Sequence, residues 1–187
     1  MTDNHTQGRN WQIVPAHAAH TGYIARHMRG IDRREVWAFH RHTPQEALDY
    51  SLAASQRGKG IAWTCLVDDR PAFMFGVAPD PFENMLDVGR AWLLATNDIY
   101  RIAKSFVQHS KFYVDEMQRR FDFLSNYVHC KNVVSQRWLK WCGFEIDAVP
   151  SMVDGEDFYY FCRVSPTADE QCTRWLEEFE EGVRADV

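Results

Sequence analysis

Between Ile61 and Met117 the hydrophobic period of the chain changes once, and that change restricts the fold more than any other feature. Ile61 to Val67 and Pro71 to Val77 are apolar runs on either side of Asp68-Asp69-Arg70, the pattern of an antiparallel hairpin. Pro79-Asp80-Pro81 ends the pair and opens a loop, after which Val88 to Ala95 reads as a largely buried strand. From Asp98 the apolar residues Ile99, Ile102, Phe106, Tyr113 and Met117 recur at helical spacing, with Arg101, Lys104, Gln108 and Lys111 on the other face. Three strand runs therefore lead into a long amphipathic helix.

The flanks extend this pattern. Trp11 to Val14 reads as a strand ended by Pro15, and 17–28 is helix-compatible. Asp32 is placed to cap a helix running through Val36, Trp37 and Phe39. Thr43-Pro44-Gln45-Glu46 carries a capping box with proline in the first turn. Beyond the long helix come a strand (Phe121 to Val128), a helix (Val133 to Cys142) closed by Gly143, a short strand from Phe144, and a hairpin turning at Asp154-Gly155 into Phe158 to Val164. The expectation is one mixed α/β domain over 11–164, a flexible N-terminus over 1–10 and an acidic helical extension over 165–187.

Composition agrees with one folded domain. The chain has 187 residues, 45% of them hydrophobic, enough for a sizeable core and too many for disorder throughout. No apolar run approaches the roughly 18 residues of a membrane span, and residues 1–10 are polar, so a soluble, unexported protein is expected. Five cysteines without a C-x-x-C spacing suit reduced thiols. The net charge of −5 is uneven: 166–187 holds seven acids and two bases, 1–165 nineteen of each, and 101–140 eight bases and three acids. A near-neutral body with an acidic tail does not suggest a dedicated nucleic-acid binder.

Other chemistry is thinly represented. His17, His20, His27, His40 and His42 lack carboxylate or thiolate partners at fixed spacing, so no metal is expected. His129 and Cys130, if neighbours on a strand, point to opposite faces and do not form a nucleophile pair. Trp63, Trp92, Trp138 and Trp141 read as core-facing. Trp175, Leu176 and Phe179 form an apolar stripe on the tail, suited to docking on the chain's own body or on a partner.

One local motif is more specific. Asn132 to Phe144, Asn-Val-Val-Ser-Gln-Arg-Trp-Leu-Lys-Trp-Cys-Gly-Phe, resembles the second signature of the GCN5-related N-acetyltransferase (GNAT) family, where Asn precedes a helix ending in Gly-Phe. The element order is similar to that fold over about 11–164, and Trp11 to Trp37 resembles its usual beginning. Met28 to Ala54 and Arg137 to Phe144 resemble GNAT-like proteins of short-tailed bacteriophages, some of them named internal virion or morphogenesis proteins. The resemblance implies an α/β GNAT-like acyl-CoA N-acyltransferase fold with an extra C-terminal helix. It further implies acetyl-CoA or CoA as cofactor and a small-molecule or protein amine as acceptor. In the phage setting it implies a phage or host protein partner, in the host cytoplasm or the virion.

By that resemblance, two adjacent parallel strands splay and the cofactor's pyrophosphate rests on the N-terminus of the helix after the first of them. The positions concerned are Thr96, Asn97, Asp98, Arg101 and Lys104, with Asn132 as cap or cofactor contact. The family's glycine pattern is missing between Thr96 and Ala103, and Asp98 repels phosphate, whereas Arg101 and Lys104 can hold it by side chain or simply line a solvated face. Leu139 stands where the family often has a tyrosine acid. Glu83 and Asp87, before the central strand, are the candidate bases. Two readings stay open: an acyl-CoA-dependent N-acyltransferase, and an inactive GNAT-fold virion or morphogenesis protein that works by protein contacts.

Overall fold

The computed structural model describes residues 10–80 and 87–170. β1 (Trp11–Pro15) precedes three helices, α1 (Ala18–His27), α2 (Gly30–His40) and α3 (Pro44–Ser55). The meander follows as β2 (Ile61–Val67), β3 (Arg70–Pro79) and β4 (Val88–Ala95). A short 3-10 helix (Asn97–Ile102) enters α4 (Ala103–Gln118), and β5 (Phe123–His129), α5 (Val133–Trp141), β6 (Glu145–Ile146), β7 (Ser151–Val153) and β8 (Glu156–Val164) complete the order. Helix resumes at 166–170, where the Ser165 hydroxyl accepts the Ala168 N–H. Glu83, the Trp175 stripe and nearly all of the N-terminal segment lie outside the described residues.

The punctuation residues act as their chemistry requires. Thr43 and Glu46 close a reciprocal capping box, with Pro44 in the first turn of α3. Asp68 and Asp69 both hold positive φ, which makes the β2–β3 connection a two-residue turn whose twist matches its strands. At the end of α5, Gly143 takes φ 86°, its N–H donates to Lys140 and the Phe144 N–H donates to Leu139, a Schellman stop.

The strands form one sheet in the order β1-β2-β3-β4-β5-β8-β6, with β7 paired to β8. Only β4 and β5 run in parallel among the described strands. One face buries Phe73, Phe75, Val114, Met117, Leu139 and Phe144 between the sheet and α4 and α5. The other buries Ile24, Met28, Leu48, Leu52, Met74 and Leu94 under α1 and α3. No described helix is long and apolar enough to cross a membrane.

Four expectations change. Asp32 lies inside the first turn of α2, not at its cap, because its carboxylate is drawn to Arg29 and to β4. The long helix opens as 3-10 because three residues per turn put buried Ile99 and Ile102 on one face. Trp141 is 52% exposed, with the Lys111 ammonium 4.4 Å from its ring centre, since Leu139 and Cys142 take the inward positions. Cys130 falls in the turn after β5, so strand alternation does not apply, and its sulfur lies 4.0 Å from His129 Nδ1.

Candidate functional site

β4 and β5 are paired only at their first residues, Val88 with Phe123, Gly89 with Leu124 and Arg90 with Ser125. Beyond these the strands part. Asn126 spans the start of the gap, donating from Nδ2 to the Ala91 carbonyl at 2.8 Å and accepting the Tyr127 N–H on Oδ1. At the far end, Thr96 N–H bonds back to Ala72 on β3, so the peptide of Ala95 faces the gap. The corner between α1 and α2 fills that edge. Arg29 N–H donates to the Ala95 carbonyl at 2.8 Å, and Asp32 Oδ2 accepts the Ala95 N–H at 2.9 Å.

Arg29 also grips Asp32 with two parallel bonds, Nε to Oδ2 at 2.9 Å and Nη2 to Oδ1 at 2.7 Å. Both side chains are buried, and a bidentate fork is the geometry in which such a pair offsets its desolvation. Burial raises the Asp32 carboxyl above the usual carboxylate range, while Arg29 and the Ala95 N–H oppose that rise.

One turn further along α2, Glu35 reaches the opposite strand. Its Oε1 accepts the His129 N–H at 3.1 Å and Asn132 Nδ2 at 2.9 Å. Both bonds go to Oε1, which leaves Oε2 without a hydrogen-bond partner among the described residues. Burial, then the neighbouring Asp32 charge, push the Glu35 carboxyl up to about 7, against the pull of Asn132, the His129 N–H and Arg29. Asn132 meanwhile caps α5 by accepting the Ser135 N–H. His129 is wholly buried: Nδ1 accepts the Lys131 N–H, which places the proton on Nε2 for donation to Glu156. Nδ1 is thereby committed and serves Cys130 as no base.

A cavity of about 280 Å³ runs through the gap. Glu35, Phe39, Tyr127 and Phe158 line it on the α2 side, and Phe106, Tyr113, Trp138 and Leu139 on the side of α4 and α5. Its walls come from both faces of the sheet, so two reactants can meet there from opposite sides.

The residues singled out in the sequence divide sharply. Asn132 lines the cavity and donates to Glu35. Thr96 is buried and spends its hydroxyl on the Asp98 N–H. Arg101 is ion-paired with Asp68 at 2.7 Å and Asp98 at 3.2 Å. Asn97 and Lys104 are exposed at the helix start. Asp87 stands before β4 at its closed end, paired with Lys59 at 2.8 Å, and does not line the cavity. Glu83 lies outside the described residues. Glu35 and Asp32 carry no sequence motif that marks them as site residues. Their signal was present, since positions 32, 35, 36 and 39 form one helical stripe in which two carboxylates accompany Val36 and Phe39.

Neither a protein-family model nor a curated protein matches the chain by sequence. Solved structures do match by shape. A ribosomal-protein-alanine N-acetyltransferase from Brucella melitensis aligns with TM-score 0.63 and 12% identity, over 82% of this chain and 99% of that one. A GNAT-family acetyltransferase from Streptococcus pneumoniae gives 0.58 and 12%, over 83% and 99%. An aminoglycoside acetyltransferase in complex with coenzyme A gives 0.57 and 11%, over 86% and 98%. The splayed parallel pair, the helix entering after β4 and the capped helix after β5 are thus parts of a known architecture, and the chain has the fold of the GCN5-related N-acetyltransferases.

Proposed function

We propose that the protein is an N-acyltransferase that draws its acyl group from a CoA-type thioester and uses Glu35 as proton acceptor. The observation that carries this reading is the cavity through the β4–β5 gap with Glu35 on its wall. A carboxyl held near 7 is half ionised at neutral pH, and a base tuned to working pH is the efficient one. Oε2 takes the proton of the acceptor ammonium or amine, a small molecule or a protein, while Oε1 stays anchored to β5 and α5. The Arg29–Asp32 pair fixes the first turn of α2 to β4 and so positions Glu35 over the gap.

The gap suits the thioester arm of such a donor, with apolar walls on the side of α4 and α5. When bound, the donor supplies an activated carbonyl. Its diphosphate finds less: the Asp98 N–H is capped and Arg101 is neutralised by two carboxylates. Asn97 and Lys104 are the exposed polar groups there that would hold it by side chain.

A titration of acetyl-CoA and free CoA into the native protein, followed by calorimetry and thermal melting, tests this. Heat and a raised melting temperature are expected. No response at millimolar CoA sinks the reading. Glu35→Gln should lower the rate of amine acylation by about a hundredfold or more, typical of a lost general base, while CoA affinity is kept.

A second reading takes the fold without the reaction. The gap-facing peptide of Ala95 is satisfied by the chain itself, as is the Asp98 N–H, which leaves neither of them for a cofactor, and the fold alone does not require the chemistry. Under it the protein is a phage virion or morphogenesis component that acts through contacts with phage or host proteins, in the virion or the host cytoplasm. Silence in the CoA titration together with co-purification with virions would select it.

A further inference from the structure

The cavity does not stop at the gap. It continues between the sheet and the two helices that cover it, where Phe73, Phe106, Val114, Trp138, Leu139 and Phe144 form the wall. These positions belong to the main core, where close packing is the rule and voids larger than a water molecule are few. An engineered apolar cavity of about 150 Å³ stays dry and binds benzene, and the space here is about 280 Å³ over its whole length.

A second observation concerns hydrogen bonding. Trp11 is 5% exposed, lines this space, and its indole Nε1 has no partner among the described residues; the same holds for the indole Nε1 of Trp138. A buried donor left unpaired is costly, so natural cores keep few of them. An apolar chain would fill this volume, and an acceptor oxygen on it would give a buried indole N–H the partner it lacks.

We infer that the chamber beneath α4 and α5 is a binding site for an apolar chain of medium length carrying an oxygen function, that is, a fatty acyl group. Under the proposed function, on which this assignment of the chain as the donor's acyl group rests, the transferred group is a medium-length acyl and not acetyl. The chamber is continuous with the gap, so such a chain needs no separate entrance.

The test uses the native protein with three probes: decanoate, decanoyl-CoA and acetyl-CoA. Decanoate should bind one to one and change tryptophan emission, with hexanoate at least about tenfold weaker, because each buried methylene is worth roughly fourfold in affinity. Decanoyl-CoA should exceed acetyl-CoA by about tenfold or more on the same grounds. Val114→Phe, which fills the chamber from α4, should weaken decanoate at least about tenfold. Should that variant fail to fold, the chain-length series on the native protein still decides. If decanoate binds and neither thioester does, the chamber stands and the acyltransferase reading falls. If acetyl-CoA and decanoyl-CoA bind equally and decanoate does not bind, the chamber assignment is overturned and the acyltransferase reading survives.

Discussion

Asp32 shows how one side chain can tie two layers together. It is buried, accepts two bonds from Arg29 and one from the backbone of β4, and together with the Arg29 N–H on the Ala95 carbonyl it fixes the start of α2 to the gap-facing edge. Removing one member of a buried ion pair leaves the other charged and unpaired, which costs more than the pair is worth. Asp32→Asn should therefore lower stability by about 3–5 kcal/mol in urea unfolding, and Arg29→Met with Asp32→Leu should recover part of that loss. A single-variant loss below about 0.5 kcal/mol would contradict the role. The sequence alone led to a different assignment, since Asp before an apolar helical run is the ordinary sign of a cap. What it could not display is the partner: Ala95 is 63 positions away, and its only contribution is a backbone N–H.

Local chemistry was legible wherever an element ends on its own residues. The box at Thr43, the stop at Gly143 and the turns at Asp68-Asp69 and Asp154-Gly155 involve neighbours only, and each forms as expected. The parting of β4 from β5 was not legible from composition or period, because nothing in Val88 to Ala95 marks where its pairing stops; only the family resemblance implied it. Gly76 in β3 belongs to a similar class. A Cβ there would strike the carbonyl of Ile61 and lie 2.8 Å from Ala62 on β2, both in the partner strand and unable to rotate away. Gly76→Ala should cost about 1–3 kcal/mol by overpacking the middle of the meander, readable as a lower denaturant midpoint with an unchanged slope. Stability equal to the native protein would show that β2 and β3 slide apart more freely than their register suggests.

The molecule as a whole places its helices on both faces of a sheet that is closed at one end of β4–β5 and open at the other, and Glu35 reaches from one layer across that opening. This position makes global stability depend on pH in a way the net charge does not foretell. An unfolded glutamate titrates near 4.3, whereas the folded carboxyl is raised to about 7. Between these values the folded chain binds the proton that the unfolded chain has released, so the contribution of this group is fully present below about pH 4 and is lost as pH rises through 7. Glu35→Gln keeps an acceptor for the His129 N–H and Asn132 but has no charge to bury. The variant should lose this pH dependence and exceed the native protein at pH 8 by on the order of 2 kcal/mol, allowing for the partial exposure of the side chain. Paired denaturation curves at pH 5 and pH 8 measure it directly, provided native and variant are compared at equal ionic strength. Parallel pH profiles for the two proteins would mean that Glu35 stays ionised throughout, and the proton acceptor of the proposed reaction would then have to be a weak base with an ordinary carboxylate affinity.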